Sequence, residues 1–251
     1  MTARADAAWR RLAGAVTLLT VVPVPGAGVA ALGDSAAWFP LVGAAVGGLA
    51  GAVRLAAEHT LGPLTATVLA VTALVVVTGA LHQDGLADTA DGVGARDGRE
   101  RRLAVMRDSS TGAFGVLALI AWFLLMVTAP AQLTGVQALL TFVAACAVGR
   151  WAALLHATAA PPARADGLGA SLTVSRPALL GATALAAAAA IATGLPDPVK
   201  PTAALAAGAL VAILASIYAR DRLGGYTGDT LGATVALGEL VVCLTLTALW
   251  R

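Results

Sequence analysis

Three aspartates, Asp84, Asp88 and Asp91, fall at i, i+4 and i+7 within Leu-His-Gln-Asp-Gly-Leu-Ala-Asp-Thr-Ala-Asp-Gly, residues 81–92. On a helix that spacing puts the three carboxylates on one face. Like charges so close repel unless they are protonated, solvated or neutralised by a cation. A hard divalent ion such as Mg²⁺ suits them, because it prefers oxygen ligands and shares them with substrate phosphates. Gly85 and Gly92 leave backbone beside the acids open to a phosphate. The bland alternative is a solvated acidic loop, since six of the fourteen acidic residues (Asp84, Asp88, Asp91, Asp97, Glu100 and Asp108) lie between 84 and 108. Three aspartates in one register favour the metal. His82 stands off that face, and as general base, phosphate contact or interfacial residue it stays open.

The stretch that follows adds cations. Residues 99–107 read as a basic amphipathic helix with Leu103 and Met106 on its apolar side, suited to lying on an anionic leaflet. In Arg107-Asp108-Ser109-Ser110-Thr111-Gly112, Asp108 or Ser109 is expected to cap the next helix, whose free N–H groups form an anion site. Arg107 could hold a phosphate directly. Two charges, Arg150 and Glu239, sit inside apolar runs, where each costs about 2.5–3.5 kcal/mol on insertion scales. They form either an ion pair or part of a functional site, Arg150 holding a phosphate and Glu239 belonging to the metal site. Gly224-Gly225-Tyr226-Thr227-Gly228-Asp229 precedes the last apolar run and offers backbone donors, hydroxyls and a carboxylate. Asp229 is either a fourth metal ligand, beside Asp84, Asp88 and Asp91, a ligand to a substrate hydroxyl, or a helix N-cap.

The elements that must position these groups are apolar. Hydrophobic residues make up 59% of the 251 and charged residues 12%, about half the charge of a soluble domain. The fold expected is all-α, a single polytopic transmembrane helical bundle over 1–251, with the catalytic loop at about 82–112. Runs near the required ~20 residues lie at 36–53, 64–82, 113–131, 135–157, 178–196, 201–219 and 230–250. The segment 12–24 is short and reads as interfacial or re-entrant. With it uncrossed and the N-terminus cytoplasmic, twelve basic residues lie inside and three (Arg54, Lys200, Arg251) outside. This arrangement implies a cell (inner or plasma) membrane protein whose active site faces the cytoplasm. Gly43, Gly47 and Gly51 line one helix face, for packing within the chain or in a homodimer. The alanine-rich run 185–191 suggests tight packing. Cys146 and Cys243 lie in apolar runs and read as buried hydrophobes. A net charge of +2 gives no footprint for nucleic acid.

Taken in order, residues 82–92, then Arg107-Asp108-Ser109 with Gly112 and Phe114-Gly115, then Gly225 to Asp229, resemble the cobalamin synthase family, the adenosylcobinamide-GDP ribazoletransferases. The resemblance covers essentially the whole chain. It departs at Gln83, where an aliphatic residue is common, and at Arg107, where lysine is. It implies a Mg²⁺-dependent transfer in which adenosylcobinamide-GDP and α-ribazole, or its 5′-phosphate, are joined with release of GMP. On that reading His82, Asp84, Asp88 and Asp91 are catalytic. Arg107, Asp108, Ser109, Gly112, Arg150, Tyr226, Thr227, Asp229 and Glu239 touch substrate. The rival in chemistry is a CDP-alcohol phosphotransferase, which places an Ala-Arg pair after its first Asp-Gly, whereas Ala87 here precedes Asp88. The rival in class is an ion-coupled transporter, disfavoured because the acids gather at one membrane face.

Overall fold

The computed structural model describes residues 3–25, 32–96, 98–164, 172–194 and 197–251. Asp97, counted in the acidic stretch, lies outside them. Among the described residues the chain is helical, with one isolated backbone bridge between Pro162 and Tyr226. Helix α1 (Ala3–Leu19) buries Ala13, Ala15 and Leu19 and exposes Trp9, Arg10 and Arg11. It is amphipathic rather than apolar. The short segment expected at 12–24 is thus the second half of a helix that starts earlier and stops at Leu19, ahead of Pro23.

A one-turn helix α2 (Leu32–Ser35) leads to α3 (Phe39–Val77), interrupted at Gly62 (φ 74°, ψ 163°) and Pro63. Thirty-nine residues of straight helix would reach about 58 Å. Yet Phe39 and Leu81, which bracket it, line one cavity. The element therefore doubles back at Gly62, where only glycine adopts the dihedrals freely, and its legs are the two spans expected at 36–53 and 64–82. After it, Gly79 (φ 59°) and Ala80 (φ 56°) turn the chain through left-handed backbone. That conformation costs a non-glycine residue about 1–2 kcal/mol.

The turn launches α4 (Leu81–Gly94), then α5 (Gly98–Val105), α6 (Ala113–Thr128), α7 (Gly135–Ala159), α8 (Arg176–Ile191), α9 (Val199–Tyr218) and α10 (Gly228–Trp250). Five stretches (33–77, 113–132, 135–159, 199–223 and 228–250) are long and apolar enough to cross a membrane, and α8 is a shorter apolar helix. With the first stretch doubled back, the apolar legs match the seven runs expected. Helix α4, which carries the aspartates, is not one of them.

Helix α7 is the hub on which α3, α8, α9 and α10 pack. The glycine face of α3 meets it backbone to backbone: a Cβ on Gly43 would strike the Cys146 carbonyl, one on Gly47 the Phe142 carbonyl, and one on Gly51 the Leu139 Cα. That face is consumed within the chain, so it offers nothing to a homodimer. Ala178, Ala182, Ala186 and Ala190 give α8 a buried small-residue stripe. Cys146 and Cys243 are free and buried. Outside, Leu117, Ile120 and Leu124 of α6 and Leu210, Ile213, Leu214 and Ile217 of α9 are exposed. Such a coat of large apolar side chains requires a bilayer as solvent.

Candidate active site

The acidic stripe is helical as expected, but its members part company. Gly85 lets α4 touch α10, because a Cβ there would lie 2.6 Å from the Asp229 carbonyl oxygen and 3.1 Å from the Gly232 Cα. Two glycines in register thus bring Asp84 and Asp88 beside Asp229. Gly85 and Gly92 are accordingly not open to phosphate: Gly85 faces α10, and Gly92 faces Met106, whose Cγ would be 2.7 Å from an added Cβ.

Asp91 looks the other way. Its carboxylate accepts hydrogen bonds from the Gly112 N–H (2.7 Å) and the Gly115 N–H (2.9 Å), so it caps α6 from a neighbouring helix. The cap expected from Asp108 or Ser109 is therefore not made. Asp108 instead accepts from Ser110 N (2.9 Å) and Ser110 Oγ (2.5 Å), bonds that hold its carboxyl below the usual range. Ser109 is exposed in the same turn. Asp91, Asp108 and Gly112 line a separate groove with Arg96 and Arg101.

Asp84 and Asp229 stand at the mouth of a cavity of about 360 Å³ between α1, α3, α4, α7 and α10. Asp84 is exposed and Asp229 half-buried. Burial first, then the charges of Asp84, Asp229 and Asp91, push the Asp88 carboxyl up to about 6. Among the described residues no three His, Cys, Asp or Glu side chains stand close enough to enclose a metal ion by themselves. The four-aspartate ligand set is therefore not assembled: Asp91 is diverted to α6, and the other three converge without closing a cage.

Thr227, rather than Asp229, caps α10, in a reciprocal box with Thr230. Its hydroxyl also donates to Asp229 Oδ2 (3.3 Å). The Gly224–Gly225 donors are spent on the preceding turn, Gly224 N to the Arg220 carbonyl and Gly225 N to that of Ala219. Tyr226 is tied at both backbone groups to Pro161 and Ala163, and its hydroxyl donates to the Leu172 carbonyl (3.2 Å). Its ring walls the cavity. The basic helix α5 is held by protein rather than lipid. Arg99 donates to the carbonyls of Leu223 and Ala163, Arg102 to those of Gly92 and Val93, and Leu103 and Met106 pack with Leu223 and Tyr218.

Deeper in, Arg150 and Glu239 form a buried ion pair, and Arg150 also donates to the Cys146 carbonyl (3.0 Å). Arg150 and His82 line the cavity. The sequence reading missed Arg164, which also lines it and, with Arg107, brings positive charge to Asp229. Arg164 follows Pro161-Pro162 just beyond a span, a loop position with no motif to flag it. It also missed the apolar wall of Leu18, Leu19, Phe39 and Leu154, which depends on how the helices meet.

The chain matches the family model for cobalamin-5-phosphate synthase over residues 11–247. A relative from Leptothrix cholodnii is 43% identical over 247 residues, covering 92% of each chain. One from Rhizobium etli is 37% identical over 251 residues, covering 94% of this chain and 96% of its own. One from Bradyrhizobium diazoefficiens is 38% identical over 236, covering 92% and 90%. All three are named adenosylcobinamide-GDP ribazoletransferase. No solved structure matches the chain. A family match spanning nearly the whole sequence, with relatives this similar end to end, makes this chain a member of the cobalamin-5-phosphate synthase family.

Proposed function

We propose that this chain is the adenosylcobinamide-GDP ribazoletransferase of its host's plasma membrane, with its site on the cytoplasmic face. A hydroxyl of α-ribazole, or of its 5′-phosphate, attacks the phosphorus bound to cobinamide. The new P–O bond forms as the P–O bond to GMP breaks, and the hydroxyl proton passes to a rim carboxylate. The observation that carries this reading is the convergence of Asp84 and Asp88 on α4 with Asp229 on α10, over a cavity that also holds Arg164.

Those residues fit a hard divalent cation. Three mutually repelling carboxylates that do not close a cage suit Mg²⁺, which keeps water and takes substrate phosphates as its remaining ligands. Asp84, Asp88 and Asp229 would hold it, and when bound it would neutralise charge on the diphosphate. Arg164 and Arg107 supply fixed positive charge beside the same rim. The first amides of α10, at Gly228 and Asp229, add donors, since a helix leaves its first N–H groups without intrahelical partners. Such a site aligns and stabilises phosphoryl-type transfer without covalent catalysis. His82 lies behind this rim, on the cavity's buried side.

The test uses purified protein in liposomes with adenosylcobinamide-GDP and α-ribazole 5′-phosphate, with and without Mg²⁺. GMP release is expected with Mg²⁺, falling about 10²-fold or more in Asp84→Asn and Asp229→Asn. Wild-type rates in both variants would sink the metal assignment. Release of CMP from a CDP-alcohol instead of GMP would move the chain to the phospholipid reaction.

A further inference from the structure

The cavity behind the carboxylate rim separates its chemistry by depth. At the mouth are exposed Asp84 and Gly228 and half-buried Asp229 and Arg164. The walls are apolar, from Leu18, Leu19, Phe39 and Leu154. At the buried end, His82 is 2% exposed with neither ring nitrogen hydrogen-bonded. Arg150 is 1% exposed, with Nε and one Nη lacking a partner. Buried polar groups are as a rule hydrogen-bonded. These nitrogens have no partner within the protein and both residues line the cavity, so the partner they lack is one that the cavity supplies.

We propose that this cavity binds the base of the acceptor nucleoside, a flat and largely apolar aza-aromatic ring, with its ring nitrogen accepting a hydrogen bond at His82 and Arg150. The donor's macrocycle and phosphates stay outside at the rim. The inference rests on the transferase reading and deepens it by assigning the two substrates to two zones. Size supports it: about 360 Å³ lies in the range of small-molecule pockets and encloses a bicyclic base, whereas a corrin macrocycle does not fit. Charge supports it as well. Arg150 is already neutralised by Glu239, so a phosphate at the floor would leave excess negative charge in a buried place. A neutral acceptor nitrogen satisfies the donors without that excess. His82 and Arg150 are thus specificity residues toward the base.

The experiment uses the full-length protein in detergent or liposomes and the free base 5,6-dimethylbenzimidazole, which carries neither ribose nor phosphate. Calorimetry is expected to show it binding to wild type, and kinetics to show it competing with α-ribazole 5′-phosphate but not with adenosylcobinamide-GDP. Ala153→Leu and Leu18→Phe, two wall positions on different helices, are expected to raise the acceptor KM about tenfold or more, with the donor KM unchanged. Circular dichroism and elution volume identify any variant that fails to fold, and the second wall position then carries the test. His82→Phe, which keeps a ring but removes its nitrogens, is expected to abolish the preference for the base over 5,6-dimethylindene, which lacks the acceptor nitrogen. Competition by inorganic phosphate, lost in Arg150→Met, with no competition by the base, would overturn the proposal. So would wall variants that raise the donor KM instead. Base binding with no GMP release from adenosylcobinamide-GDP in the presence of either acceptor would uphold the site and refute the transferase reading.

Discussion

Asp88 is the group at this rim whose protonation is most exposed to its neighbours. Burial and three nearby carboxylates raise it from 3.8 to about 6, so the fold favours its neutral form. Its contribution to stability is therefore fully present below pH 4 and is lost as pH rises through 6. Asp88→Asn mimics the neutral state. In cation-free buffer it should stabilise the protein at pH 7.5, by about 1 kcal/mol once solvent screening is allowed for, and change nothing at pH 4. Thermal unfolding in detergent at the two pH values checks this. Mg²⁺ should stabilise wild type at pH 7.5 far more than at pH 5, since ion and proton compete for the carboxylate, and should do little for Asp88→Asn. Arg150 and Glu239 pose the opposite problem, being paired and fully buried. Removing one partner strands a buried charge, so Glu239→Leu should cost about 3–5 kcal/mol. The double substitution Arg150→Met with Glu239→Leu should recover most of it. Equal losses in the single and double variants would show that the pair's worth lies elsewhere than in mutual neutralisation.

At the scale of elements, the site depends on how closely α4 and α10 approach. Gly85 and Gly232 set that distance, with no room for a Cβ at Gly85. Gly85→Leu should push the helices apart and lower kcat about 10²-fold, the penalty expected of misplacing reacting groups by an ångström. Gly48→Ala, whose added methyl would meet only the Val143 Cγ2 at an ordinary contact distance of 3.8 Å, should leave kcat unchanged. Asp91 belongs to this scale too. Its cap on α6 crosses from another helix, so Asp91→Ala should cost about 1 kcal/mol and speed amide exchange at Gly112 and Gly115. These cases mark what was legible in the sequence. Apolar runs, the Asp84–Asp88–Asp91 register and the buried charges are local or periodic, and the helices and the stripe appear where periodicity puts them. Asp91's turn toward α6, Thr227's cap in place of Asp229 and Arg164's reach into the cavity depend on packing between distant segments. No spacing rule encodes those.

The whole molecule is organised by the fold-back of α3, which decides which ends of the helices share a side. Phe39 and Leu81 meet at the cavity, so the Gly62 turn lies at the far end of the hairpin, across the apolar layer. The α5–α6 turn joins the cavity side through Asp91 and the contacts of Arg99 and Arg102. The cytoplasmic orientation proposed above rests on charge: Arg99, Arg101, Arg102 and Arg107 belong to the stretch that Arg99 and Arg102 tie to the cavity side, and such clusters favour the cytoplasmic face. The native thiols Cys146 and Cys243 are buried, so single added cysteines can report sidedness without replacing them. Thr60 and Ser110 are both exposed and flank opposite ends of the bundle. In intact cells a membrane-impermeant maleimide should label Thr60→Cys and spare Ser110→Cys, and permeabilisation should expose the second. Labelling of both from outside would mean that α3 does not double back through the bilayer. Labelling of Ser110→Cys alone would invert the protein and put the nucleotide site on the wrong side for its substrates.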